Sequence, residues 1–254
     1  MPAERSDPIA GAPLWRRFLV LVGLPALAWY GVLVGAGLLL DGPASGLAEG
    51  GQAVVETLVS ARTPVWDDVT AVASRSADTE VVVAGAAGIG LLLRWLWRRW
   101  IPALLLWGGV ALQASVFLLT TLVVSRERPD VERLDPAPPT SSFPSGHTGA
   151  ATALWLGLAL LVAHRVRSRA VRVVVVAAML AVPLGVAVAR MYRGMHFPGD
   201  VVFGALNGVA AVVIVRHAFA ERVQDLREHP REAVARARDD ATSLGVPPPS
   251  EPVP

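Results

Sequence analysis

The amino-acid sequence predicts an all-α fold: a polytopic membrane helical bundle with six transmembrane helices and short interfacial helices in the first outer loop. Three observations carry this prediction. Apolar residues make up 53% of the 254-residue chain against 17% charged residues, six apolar stretches approach bilayer length, and the arginines between them collect in alternate loops. Water-soluble domains do not usually carry so large an apolar share, so lipid is the solvent the composition points to.

A spanning helix needs roughly 20 apolar residues, each rising about 1.5 Å across a hydrocarbon core of about 30 Å. The stretches lie near 18–40, 80–97, 100–124, 147–163, 171–189 and 200–217. The first follows a short segment, 1–14, and begins after Arg16 and Arg17 like a signal peptide. Its apolar run outlasts an h-region of about 7 to 15 residues, which makes it a retained anchor. The loop that follows, from Asp41 to Thr79, holds Asp41, Glu49, Glu56, Asp67, Asp68 and Asp78 against only Arg62 and Arg75. Within it Gln52–Ser60 and Val65–Ser76 mix apolar and charged residues at roughly helical spacing around Pro64. Two helices along the interface and an ordinary surface loop both fit that pattern.

Arg94, Arg98 and Arg99 fill the turn between spans two and three, and Arg165, Arg167, Arg169 and Arg172 that between spans four and five. Positively charged short loops stay in the cytoplasm. The acidic first loop then faces outward, and both termini are cytoplasmic. The tail, 219–254, ends in a proline-rich stretch expected to be partly disordered. Trp95, Trp97 and Trp100 cluster at one boundary and read as an interfacial belt.

All 23 fixed positive charges are arginines, since the chain has no lysine, and the net charge of +2 does not indicate a nucleic-acid partner. The absence of cysteine excludes disulfides, thiolate metal ligands and a cysteine nucleophile. Any chemistry falls to His, Ser, Asp, Glu or Arg. Such residues concentrate in the other two outward loops, Arg126 to His147 and Arg190 to Asp200. Their arginines run against the positive-inside bias, and an anionic substrate accounts for them.

Arg128-Pro129, then Pro144-Ser145-Gly146-His147, then Arg190 with His196 and Asp200 at fixed spacing, resemble the three-part motif of the type 2 phosphatidic acid phosphatase and vanadium haloperoxidase superfamily. The resemblance implies a six-helix membrane phosphatase domain over 15–218. Two positions depart from the family pattern. Thr121 stands seven residues before Arg128, where the family carries lysine, and Ala189 replaces a serine before Arg190. Arg126 is the candidate to supply the missing charge.

The resemblance further implies that His196 attacks phosphorus and forms a phosphohistidine, with Asp200 holding the other imidazole nitrogen. His147 is the candidate acid for the leaving alkoxide and base for the hydrolytic water, tasks that suit an imidazole pKa near 6.5. Arg128 and Arg190 offer planar forks for phosphate oxygens. Ser145 and Gly146 open the fourth span, where backbone N–H groups make an anion site; an ordinary N-cap is the competing role for Ser145. The scheme needs no metal and no cofactor. Its expected partners are a lipid phosphate and the bilayer, and its expected reaction is hydrolysis of phosphatidic acid, phosphatidylglycerol phosphate or undecaprenyl diphosphate on the extracytoplasmic face. A non-catalytic lipid-phosphate binder or transporter is the alternative from another class, with Thr121 as its support. Vanadate-dependent halide oxidation is a further enzyme reading, against which six spans argue.

Overall fold

In a computed structural model the described residues are 13–42 and 46–219. The chain divides into a unit covering 1–218 and a second covering 219–254. The expected segment 1–14 and tail 219–254 lie almost wholly outside the described residues.

The described residues form eight helices and no strand. Helix α1 spans Trp15–Asp41 and contains a π-helical stretch, Leu19–Gly23. Pro25, just beyond, has no N–H to return to the preceding turn, and a local shift of the hydrogen-bond ladder accommodates the gap. The first loop folds as α2, Gly46–Ser60, and α3, Pro64–Arg75, so its helical spacing is realised. Thr63 caps α3 by accepting the Trp66 N–H, with Pro64 at the first helical position. The remaining helices are α4 (Thr79–Trp97), α5 (Ile101–Thr121), α6 (Gly146–Ala163), α7 (Arg169–Tyr192) and α8 (Pro198–Ala218). Six of the eight, α1 and α4 to α8, are long and apolar enough to cross a membrane. The third span ends at Thr121, three residues short of the expected 124.

Helix α6 sits at the centre. Leu154 and Leu158 pack with Val82 and Leu93 of α4, Leu106 and Val110 of α5, and Val212 of α8. A β-carbon at Gly208 of α8 would lie 2.6 Å from the Gly149 carbonyl oxygen and from Thr152 Cβ of α6. Small residues here let two backbones close up, which matters where lipid tails remove the hydrophobic drive between helices. Outward faces carry exposed leucine and valine, such as Val174 and Leu184 of α7.

Arginine and tryptophan knit the end of the bundle at the turns 98–100 and 164–168. The Arg94 guanidinium lies 5.2 Å from the Trp100 ring and that of Arg165 lies 4.6 Å from Trp97. The opposite end gathers α2, α3 and the loops 122–145 and 193–197.

Candidate active site

At that opposite end a cavity of about 280 Å³ opens between α4, α5 and α6, lined by Arg128, His147, Arg190 and His196 together with Gly146, Thr140 and Ser141. Segments far apart in sequence meet here because of how α7 ends. Arg193 donates its N–H to the Ala189 carbonyl and Gly194 to that of Met191. Gly194 has φ of +74°, and a β-carbon there would lie 2.8 Å from Val131 and 2.9 Å from the Glu132 carbonyl. Only glycine takes this left-handed turn against loop 122–145 without strain. The reversal carries Met195 and His196 under that loop, where the Arg128 guanidinium holds the Met195 carbonyl at 2.9 Å.

His196 is buried, and its Nδ1 lies 2.8 Å from the Ser142 carbonyl oxygen. A carbonyl can only accept, so Nδ1 carries the proton and Nε2 keeps its lone pair on the cavity side. Burial is the main influence on this imidazole; Asp200 opposes it while Arg190 and Arg128 reinforce it, and the pKa is pushed down to about 4. At neutral pH His196 is therefore uncharged.

The expectation that Asp200 grips His196 directly is corrected by the geometry. The Asp200 carboxylate is 3.7 Å from Nδ1, beyond hydrogen-bond reach. It accepts instead from Arg126, from the Ser142 hydroxyl and from the Phe197 N–H. Ser142 thus bridges the pair, its hydroxyl on Asp200 and its carbonyl on His196. The motif read from the sequence begins two residues later, at Pro144, and nothing there marked Ser142 itself.

Arg126 lies off this cavity and, with Thr121, lines an adjoining pocket that shares Arg128, Thr140 and Ser141 with it. Its guanidinium pairs with Asp200 and lies 4.5 Å from the Phe197 ring. A fully buried carboxylate needs a counter-charge, and Arg126 supplies it. Thr121 ends α5 with its hydroxyl on the Leu118 carbonyl, also off the cavity. Ser145 takes the duller of its two roles: its hydroxyl caps α6 by accepting the Thr148 N–H. Gly146 does line the cavity, and a β-carbon there would lie 2.8 Å from the Phe117 ring.

His147, in the first turn of α6, places Nε2 3.0 Å from the Asp78 carboxylate. Asp78 precedes α4 but makes no side-chain cap there, which leaves it for His147. No motif announces this partner. Arg190 donates to Ser74 at 2.7 Å and Asp135 at 2.9 Å, while its buried Nε has no hydrogen-bond partner. Arg193 clasps Asp135 at 2.7 Å and also reaches Thr70 and the Asp67 carbonyl. Burial opposes ionisation of Asp135, but the hydrogen bond from Arg193 and the charges of Arg193 and Arg190 outweigh it and hold the carboxyl below its ordinary range. Arg62 closes the set by donating to the carbonyls of Tyr192 and Glu132, each at 2.9 Å. The loops at this end of the bundle thereby fix both cavity arginines and both histidines.

The family profile described as PAP2 superfamily matches residues 81–224. The fold is similar to the crystal structure of the first transmembrane PAP2 type phosphatidylglycerolphosphate phosphatase from Bacillus subtilis, at 19% identity and a TM-score of 0.68, covering 78% of this chain and 97% of that one. It is also similar to the crystal structure of Aquifex aeolicus LpxE, at 22% identity and a TM-score of 0.53, covering 64% of this chain and 92% of that one. No curated protein sequence gives a significant match.

Proposed function

The chain belongs to the PAP2 superfamily, and from that membership we propose that it is a multi-pass membrane lipid phosphatase acting through a phosphohistidine, with residues 15–218 as the catalytic unit. One observation carries the mechanism: the His196 Nδ1 is committed to the Ser142 carbonyl, so that Nε2 faces an arginine-walled cavity. In the first step the Nε2 lone pair forms a bond to phosphorus as the bond to the leaving oxygen breaks. With Asp78 on its Nε2, protonated His147 gives its remaining ring proton, on Nδ1, to that oxygen. In the second step His147 takes a proton from water as the new P–O bond forms and the P–N bond breaks. Arg128 and Arg190, both on the cavity wall, hold the non-bridging oxygens. First-turn N–H groups of α6 at Gly146 and His147 add to the same cradle.

The substrate is a phosphomonoester or diphosphate of the phosphatidic acid, phosphatidylglycerol phosphate or undecaprenyl diphosphate class. The basic turns at the other end of the bundle favour a cytoplasmic position for them and for both termini, with the site on the extracytoplasmic face. The test is phosphate release by purified protein from those three lipids in the presence of a chelator, with His196→Ala alongside. Release that persists with chelator and falls to background in His196→Ala is expected. Full activity in the variant refutes the nucleophile, and lipid binding without turnover in the native protein makes it a binder.

A further inference from the structure

Beneath the arginines the cavity is walled by Val82, Val83, Val110, Ala114 and Ala150, and one amide interrupts that apolar surface. Gln113 is only 2% exposed. Its backbone carbonyl accepts from Asn207 Nδ2 at 3.1 Å, but its side-chain amide makes no hydrogen bond to any described residue. Nor is the amide sealed off: Gln113 lines the cavity, and its polar atoms are not among the enclosed unpaired ones. Asn207 sets the contrast, since its side chain is engaged at both ends, by Trp29 and by Gln113. A buried amide without a partner is costly unless something supplies one.

The depth of this amide says what would. Its terminal atoms lie over Gly149, two residues beyond His147 in α6 and so about 3 Å further into the bundle along the helix axis. The lipid atoms just below the phosphate would lie there. In a glycerophospholipid they include acyl-ester carbonyl oxygens, which accept from an amide N–H; an isoprenyl phosphate presents hydrocarbon.

We propose that the Gln113 side-chain amide donates to an acyl-ester carbonyl of the substrate, selecting diacylglycerol phosphates over isoprenyl phosphates. The inference rests on the phosphatase reading above. It is tested with the full chain in detergent by comparing kcat/KM for dioleoyl phosphatidic acid, its di-O-oleyl ether analogue and geranylgeranyl phosphate, in native protein and in Gln113→Met. Native protein is expected to favour ester over ether by about 3- to 10-fold, the worth of one neutral hydrogen bond, and Gln113→Met to bring that ratio close to one. Equal turnover of ester and ether by the native protein overturns the proposal whether or not the variant folds. So does an ester preference that survives in Gln113→Met, or native turnover of geranylgeranyl phosphate faster than phosphatidic acid. Failure of the native protein to release phosphate from any of the three refutes the phosphatase reading instead.

Discussion

Replacing Asp200 by asparagine isolates the buried ion pair behind His196. Arg126 is 6% exposed and Asp200 fully buried, so neither charge has water to fall back on. One Asp200 oxygen serves Arg126, while the other serves the Ser142 hydroxyl and the Phe197 N–H. An asparagine oxygen can keep the second set only by turning its NH₂ toward Arg126, donor against donor. Breaking a buried pair from one side costs about 3–5 kcal/mol, whereas replacing both partners is often close to neutral. In a chain of this size that loss lowers the unfolding midpoint by roughly 6–20 °C. Thermal unfolding followed by tryptophan fluorescence in detergent reads it directly. Asp200→Asn and Arg126→Met are each expected to lose stability on this scale, and the double variant to recover most of the loss. A double variant whose loss is the sum of the two single losses would refute the assignment of Arg126 as counter-charge.

The remaining predictions concern pH, the acid and the turn. With His196 held near 4, the acid limb of kcat/KM that belongs to it is expected near pH 4; a limb near 6.5 contradicts the burial account. The same depressed value means the unfolded chain takes up this proton first. The stability contributed by neutral His196 is complete above about pH 6.5 and lost as pH falls toward 4, roughly 3 kcal/mol in all, which denaturation at a series of pH values measures. Asp78→Asn is expected to lower kcat by about 10-fold with little change in KM, a part of the roughly 10²- to 10⁴-fold that general acid catalysis contributes, and Asp78→Glu to restore part of it; a change in KM alone would remove Asp78 from the positioning of His147. Gly194→Ala is expected to cost at least about 1 kcal/mol, since alanine must hold a left-handed φ against the Glu132 carbonyl, and an unchanged unfolding midpoint would argue against that turn.

The spans were legible because the criterion for them is local: length and apolarity in one stretch of chain. Three boundaries fall three residues from expectation, the start of the first span at Trp15, the end of the third at Thr121 and the end of the fifth at Tyr192, and the second of these has a physical cause. Leu122, Val123 and Val124 extend the apolar run past Thr121, yet Val124 is apolar because it packs on Leu33 and Phe143, not because the helix continues. Within the site, His147, His196, Arg128 and Arg190 could be read from spacing and topology, and one cavity contains all four. Asp78, Asp135 and Ser142 could not, since each acts through a partner more than 30 residues away whose approach depends on how the loops close. The pairing of Arg126 with Asp200 was hidden for the same reason. Sequence shows a spare cation near the phosphate motifs, but not that Asp200 would be buried deeply enough to claim it.

The group that orients His196 is a main-chain oxygen, that of Ser142. Such an acceptor has no ionisation state, so acid that protonates carboxylates elsewhere leaves the facing direction of His196 untouched. It also survives any change of side chain at position 142 that does not move the backbone. Orientation and charge compensation are therefore separable in this site: substitutions at Ser142 that keep the chain path disturb the Asp200 side of the bridge first, and the tautomer of His196 outlasts them.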